Sequence, residues 1–153
     1  MSEFTYEQAT AIVAAVLDAG HRYDLNPLTV AVLDAGGHLV AFGREDRSGI
    51  LRPEIAIGKA WGSLGMGIPS RRIRDLLADR PTFVDSLSVA SGGRFIPVPG
   101  GVLIVGESGV LGAVGVSGDT SDKDEACAIE AVNAVGLSSA PSKPAEGWQE
   151  SGR

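Results

Sequence analysis

Lys59 lies in "EIAIGKAWG", a stretch with almost no other charge. It falls one helical turn after Ile55 and one before Ser63. A lysine on such a face either snorkels to water or points into a pocket. In a pocket its ammonium can bind a carboxylate or a propionate, and once desolvated it can act as a base or a Schiff-base amine. Arg44 and Arg94 offer forked donors for a carboxylate. Glu54 or Asp34 could move a proton next to a carbonyl. Glu54 stands five residues before Lys59, so it is off that helix face but able to line a pocket mouth. This set suits metal-independent isomerase, tautomerase or lyase chemistry on a small keto or hydroxy acid. The plainer roles are a turn residue bonding the backbone of "AGG" for Asp34 and a solvated strand end for Arg44.

His21 follows Gly20 at the end of the first apolar-periodic segment, where a helix C-terminus favours an imidazolium. It is also a candidate axial ligand for haem, the one metal role the residues suggest. His38 opens a strand after a tight turn. Two distant histidines and one cysteine give no zinc-site spacing. Cys127 sits in an apolar helical pattern and reads as a small core residue. The stretch "GGRFIPVPGG", residues 92–101, brackets two prolines between glycine pairs. Gly92 and Gly93 permit close approach, Pro97 stiffens the chain, and Arg94 supplies a donor, so the segment reads as a pocket wall.

These residues need elements to position them. Ala9, Ile12, Val13, Val16 and Leu17 recur at helical spacing, and Thr5 with Gln8 has capping-box form, so a helix is predicted from Thr5 to about Tyr23. "LTVAVLD" and "HLVAFGR" read as a hairpin turning at Gly36–Gly37. Pro53 opens a helix running to about Met66, Ser70 can cap a short one over residues 71–78, and Pro81 can open another. "GVLIVGES" and "GVLGAVGVSG" form a second hairpin, and Ser121 caps the last helix, which stops at Gly136. With "RFIPV" as a further strand, the order is that of an α+β fold: an antiparallel sheet of about five strands flanked by helices.

The chain has 153 residues and a net charge of −6. Its pI of about 4.8 and the lack of any long basic cluster exclude nucleic acid as a partner. No apolar run reaches membrane-spanning length, and "MSEFTYEQ" has neither a basic n-region nor an apolar h-region, so the expected place is the cytoplasm. Residues 1–137 read as one domain, and the polar, Pro-rich residues 138–153 as an extended or disordered tail.

Four segments in order, "VAVLDAGGHLVAFGRED", "IAIGKA", "GGRFIPV" and "LGAVGVSGDTSDKDEACA", resemble the GlcG/HbpS family over roughly residues 5–136. A similar domain forms the C-terminal part of some corrinoid adenosyltransferases. The resemblance implies a profilin- or roadblock-like sheet, homo-oligomers of two or more copies, and a small-molecule ligand that in some members is haem. Asp34, Arg44, Lys59, Gly92, Gly93 and Pro97 fall on its motif positions. The chain departs from it at Trp61, at the Pro53–Glu54 pair and at Arg94, which bring a ring, an acid and a base toward the expected pocket of Lys59, Arg44 and residues 92–101. Either a binding protein or a catabolic enzyme without a metal fits this reading.

Overall fold

In the computed structural model, which describes residues 4–152, helix α1 (Tyr6–Arg22) begins at the expected capping box. The Thr5 hydroxyl accepts from the Gln8 amide, and the Gln8 side chain returns a bond to the Thr5 N–H. Strands β1 (Thr29–Asp34) and β2 (Leu39–Arg44) pair antiparallel across the Gly36–Gly37 turn. Next come α2 (Arg52–Met66), α3 (Ser70–Leu76) and α4 (Pro81–Ala90). The second hairpin, β3 (Gly101–Gly106) with β4 (Gly109–Ser117), leads into α5 (Ser121–Ala134). A short β5 (Ser138–Ala140) completes a five-stranded antiparallel sheet in the order β2-β1-β4-β3-β5. The α+β class and strand number match the expectation.

Side-chain alternation divides the core between two sheet faces. Val30, Val32, Val102, Ile104, Val114 and Val116 point to α1 and α5 and form the main apolar cluster. The other face presents smaller residues to α2, including Ala113 beside Leu33, Leu103 and Ala60. Gly115 and Gly101 lie there without side chains. A Cβ on Gly115 would collide with the Ala56 carbonyl oxygen, and one on Gly101 with the Lys59 carbonyl oxygen. Helix α2 therefore rests backbone to backbone on the sheet.

Four local expectations change. "RFIPV" is a loop, because Pro97 and Pro99 lack ladder donors and the outer edge of β3 is taken by β5 instead. The tail packs on the domain: it supplies β5, and Trp148 meets the Tyr23 ring edge-on at 4.9 Å. Ser70 does not cap α3. Its buried hydroxyl accepts from the Gly101 N–H at 2.8 Å, tying α3 to the start of β3. The cap of α5 is Thr120 rather than Ser121, its hydroxyl accepting from the Lys123 amide at 3.4 Å. Residues 1–3 and 153, the ends of the expected domain and tail, lie outside the described residues. No helix among the described residues is long and apolar enough to cross a membrane.

Candidate functional site

Lys59 projects from α2 into the protein, not to water. It is 2% exposed and its partner Asp124, in the first turn of α5, is 1% exposed. The Lys59 Nζ donates to Asp124 Oδ2 at 3.2 Å and to the Val116 carbonyl at 2.8 Å. Asp124 Oδ1 accepts from the Asp119 amide at 2.9 Å. Burial pulls the Lys59 ammonium below its ordinary value and pushes the Asp124 carboxyl up to about 6, while each charge supports the other. Next to this pair, Arg71 Nε donates to both oxygens of the fully buried Glu125 at 2.9 and 3.0 Å, and a terminal nitrogen of Arg71 bonds Asp122. Together these pairs fasten α2 and α3 to α5. A cleft of about 410 Å³ beside them is lined by Arg52, Arg74, Asp119, Thr120 and Asp122.

The expected pocket of Lys59, Arg44 and residues 92–101 is not assembled as one site. Lys59 neither snorkels nor faces open space, since Asp124 takes its charge and Gly100 is packed against it. Glu54 is exposed in the first turn of α2. Asp34 stands at the other end of the sheet: it pairs with Gly112, whereas Lys59 reaches Val116, the partner of Val30. Four strand positions, about 13 Å, separate those levels. Asp34 Oδ1 accepts from the backbone N–H groups of Gly36 and His38 at 2.9 and 3.0 Å, and from the His38 ring. Chiefly the His38 amide holds its carboxyl below the usual range, which makes it a weak base.

His21 and Arg44, far apart in sequence, line one cleft of about 530 Å³ with Leu25, Pro27, Glu45 and Arg47. Glu45 organises it. One oxygen meets His21 Nε2 at 2.5 Å, and the other accepts from the Leu28 amide at 2.7 Å. His21 Nδ1 has no partner among the described residues. Arg44 donates from one terminal nitrogen to the Ser48 carbonyl at 2.7 Å, and Arg47 is held at φ +70° in the turn.

Arg94 lies elsewhere, its guanidinium 4.2 Å from the centre of the Trp61 ring and its Nε donating to the Ser91 carbonyl. Gly92 and Gly93 have φ of 68° and 85° and end α4, with the Gly93 N–H reaching back to the Ser88 carbonyl at 2.8 Å. A Cβ at either would meet nothing within 4 Å, so glycine is used there for its backbone conformation, not for close approach. Pro97 is half-buried in the same loop.

Sequence reasoning gives no site role to Asp124 or Glu45. Asp124 had a local signal: it shares the helical stripe of Ala128 and Ala131, so periodicity places it inward. Glu45 had none. Cys127 is buried, as expected of a core residue, and burial pushes its thiol up to about 12. Burial therefore keeps the thiol protonated at neutral pH and unreactive. Cys127 should stay unmodified by a disulfide reagent in the native protein and react fully in denaturant. Prompt native labelling would show that α5 opens readily. Among the described residues, no group of three or more His, Cys, Asp or Glu could hold a metal ion.

A family model described as haem degrading protein HbpS-like matches residues 4–133. A protein of 15.0 kDa from the dhaT–dhaS intergenic region of Citrobacter freundii is 26% identical over 107 residues, 70% of this chain and 75% of that protein. Among solved structures, a PduOC:heme complex superposes with a TM-score of 0.80 at 19% identity, over 89% of this chain and 97% of that one. ORFY of Klebsiella pneumoniae gives 0.79 at 24% identity, over 88% and 92%. HbpS gives 0.76 at 24% identity, over 89% and 92%. At these identities the superpositions establish a shared fold.

Proposed function

Because the chain belongs to the family of HbpS-like haem-degrading proteins, we propose that it binds a small ligand, and that this ligand is haem or a related tetrapyrrole. The observation that carries the reading is the 530 Å³ cleft in which His21, Arg44 and Arg47 converge. Its donor set fits the group. An imidazole with one nitrogen held by a carboxylate and the other unbonded could hold the group's iron. Two arginines suit two propionates, and Leu25 and Pro27 offer apolar contact. A bound haem would supply a redox-active iron. Glu45 would orient His21, and Arg44 and Arg47 would fix the acid arms. The cleft is open, and a homo-oligomer is the arrangement that would bury more of the ring together with Ile50 and Leu51, exposed by 91% and 67% in the adjacent loop. The fold offers less to metal-independent isomerase, tautomerase or lyase chemistry, since it keeps Lys59, Glu54 and Asp34 apart. The solved structure with a haem complex supports the ligand.

Titration of the protein with haemin should give a saturable Soret shift. His21→Ala should abolish or displace that shift, and Arg44→Ala with Arg47→Ala should weaken binding about tenfold or more. A wild-type protein without saturation rejects the ligand. A His21→Ala spectrum identical to wild type rejects the cleft.

A further inference from the structure

A second concavity lies at the other end of the β1–β2 hairpin from the His21 cleft, where a Cβ on Gly37 would come within 3.2 Å of Trp61 Nε1. It holds about 200 Å³ between α2 and the end of α4, and its lining includes Trp61, Gly62, Gly65, Met66, Leu87 and Phe95. Its floor is nearly bare α2 backbone. A Cβ on Gly65 would only graze the Trp61 ring at 3.9 Å. The walls are two aromatic rings and two flexible apolar side chains. One wall is weakly tied, because α4 has no buried residue and holds to the body through Phe83, Val84 and Leu87 against Ile73, Leu77 and Phe95.

Arg94 adjoins this pocket through two of its lining residues, Trp61 and Ser91. Arg94 spans from the Trp61 ring to the Ser91 carbonyl, and only its Nε is used. Its two terminal nitrogens have no hydrogen-bond partner among the described residues, and no carboxylate pairs with it. A guanidinium fixed at Nε and by stacking, with its outer edge unbonded, is arranged to take a planar anion through two parallel bonds. We infer that this pocket binds a monocyclic aromatic carboxylate, its ring between Trp61 and Phe95 and its acid group on Arg94. The volume is below the roughly 300–1,000 Å³ of sites for drug-sized ligands, which suits one ring with a short acid arm and excludes a tetrapyrrole. The site is thus separate in place and in ligand size from the His21 cleft.

Benzoate is the probe, with benzyl alcohol as its uncharged counterpart and acetate as its ringless one. The readout is the indole ¹H–¹⁵N signal of Trp61, identified by its persistence in Trp148→Phe. Benzoate should move that signal saturably, with benzyl alcohol and acetate each about tenfold or more weaker. Arg94→Gln should lower benzoate affinity about tenfold and leave benzyl alcohol unchanged. Gly65→Leu, which fills the floor, should abolish both responses without lowering Tm. Haemin titration of Arg94→Gln should match wild type, so failure of one site is told apart from failure of the other. Equal binding of benzoate and benzyl alcohol, an unmoved Trp61 signal, or an Arg94→Gln variant with wild-type affinity overturns the assignment.

Discussion

Asp124→Ala is expected to cost about 3–5 kcal/mol of folding stability. Removing the carboxylate leaves the Lys59 ammonium, 2% exposed, with the Val116 carbonyl as its one remaining hydrogen-bond partner. Its stem is held under Gly100, so it cannot swing out to water without moving the start of β3. An uncompensated charge in that setting costs far more than the pair is worth to the fold, since desolvation of both ions offsets most of their attraction. The double variant Lys59→Met/Asp124→Leu should therefore recover most of the loss. Against a total stability of about 5–15 kcal/mol, the single change consumes a large share. Urea unfolding checks it. A single variant within about 1 kcal/mol of wild type, or a double variant no more stable than the single, would refute a desolvated pair.

Gly115→Ala should be as severe through a different cause. The added Cβ would run into the Ala56 carbonyl oxygen and stand 3.1 Å from the Ala60 amide nitrogen. Both obstacles are helix backbone, so no rotamer change relieves the clash and α2 must lift off β4. Overpacking costs about 1–3 kcal/mol and occasionally more, and a clash of backbone against backbone belongs at the upper end. Lifting α2 also loosens Lys59 from Val116 and Asp124. Gly65→Ala is the control: its Cβ meets nothing closer than 3.9 Å, and it should gain about 0.5–1 kcal/mol of helix propensity. Equal Tm values for Gly115→Ala and wild type would mean that α2 does not rest on the strand backbone.

The same contact explains much of what was legible. The sequence suggests two uses of glycine, a turn at Gly36–Gly37 and a close approach at Gly92–Gly93. Gly37 and Gly136 do turn the chain at positive φ. Gly101 and Gly115 serve the close approach, but of a helix to a sheet and not of backbone to a ligand. Within residues 92–101, Arg94 stacks on Trp61 and bonds the Ser91 carbonyl, while Gly100 lies against Lys59.

What the sequence determined by itself lay within a turn or a ladder step. Thr5 and Gln8 start α1, the Gly36–Gly37 pair closes the first hairpin, and apolar periods of 3.6 and 2 set the helices and the strands. Those interactions span a few residues, so their signal is local. The tertiary structure alone decided the rest. Strand order brought the tail to the edge of β3, put Asp124 on Lys59 across 65 residues, and set Glu45 on His21 across 24. A buried charge must find a partner wherever the packed elements deliver one, and no local pattern states which residue that will be.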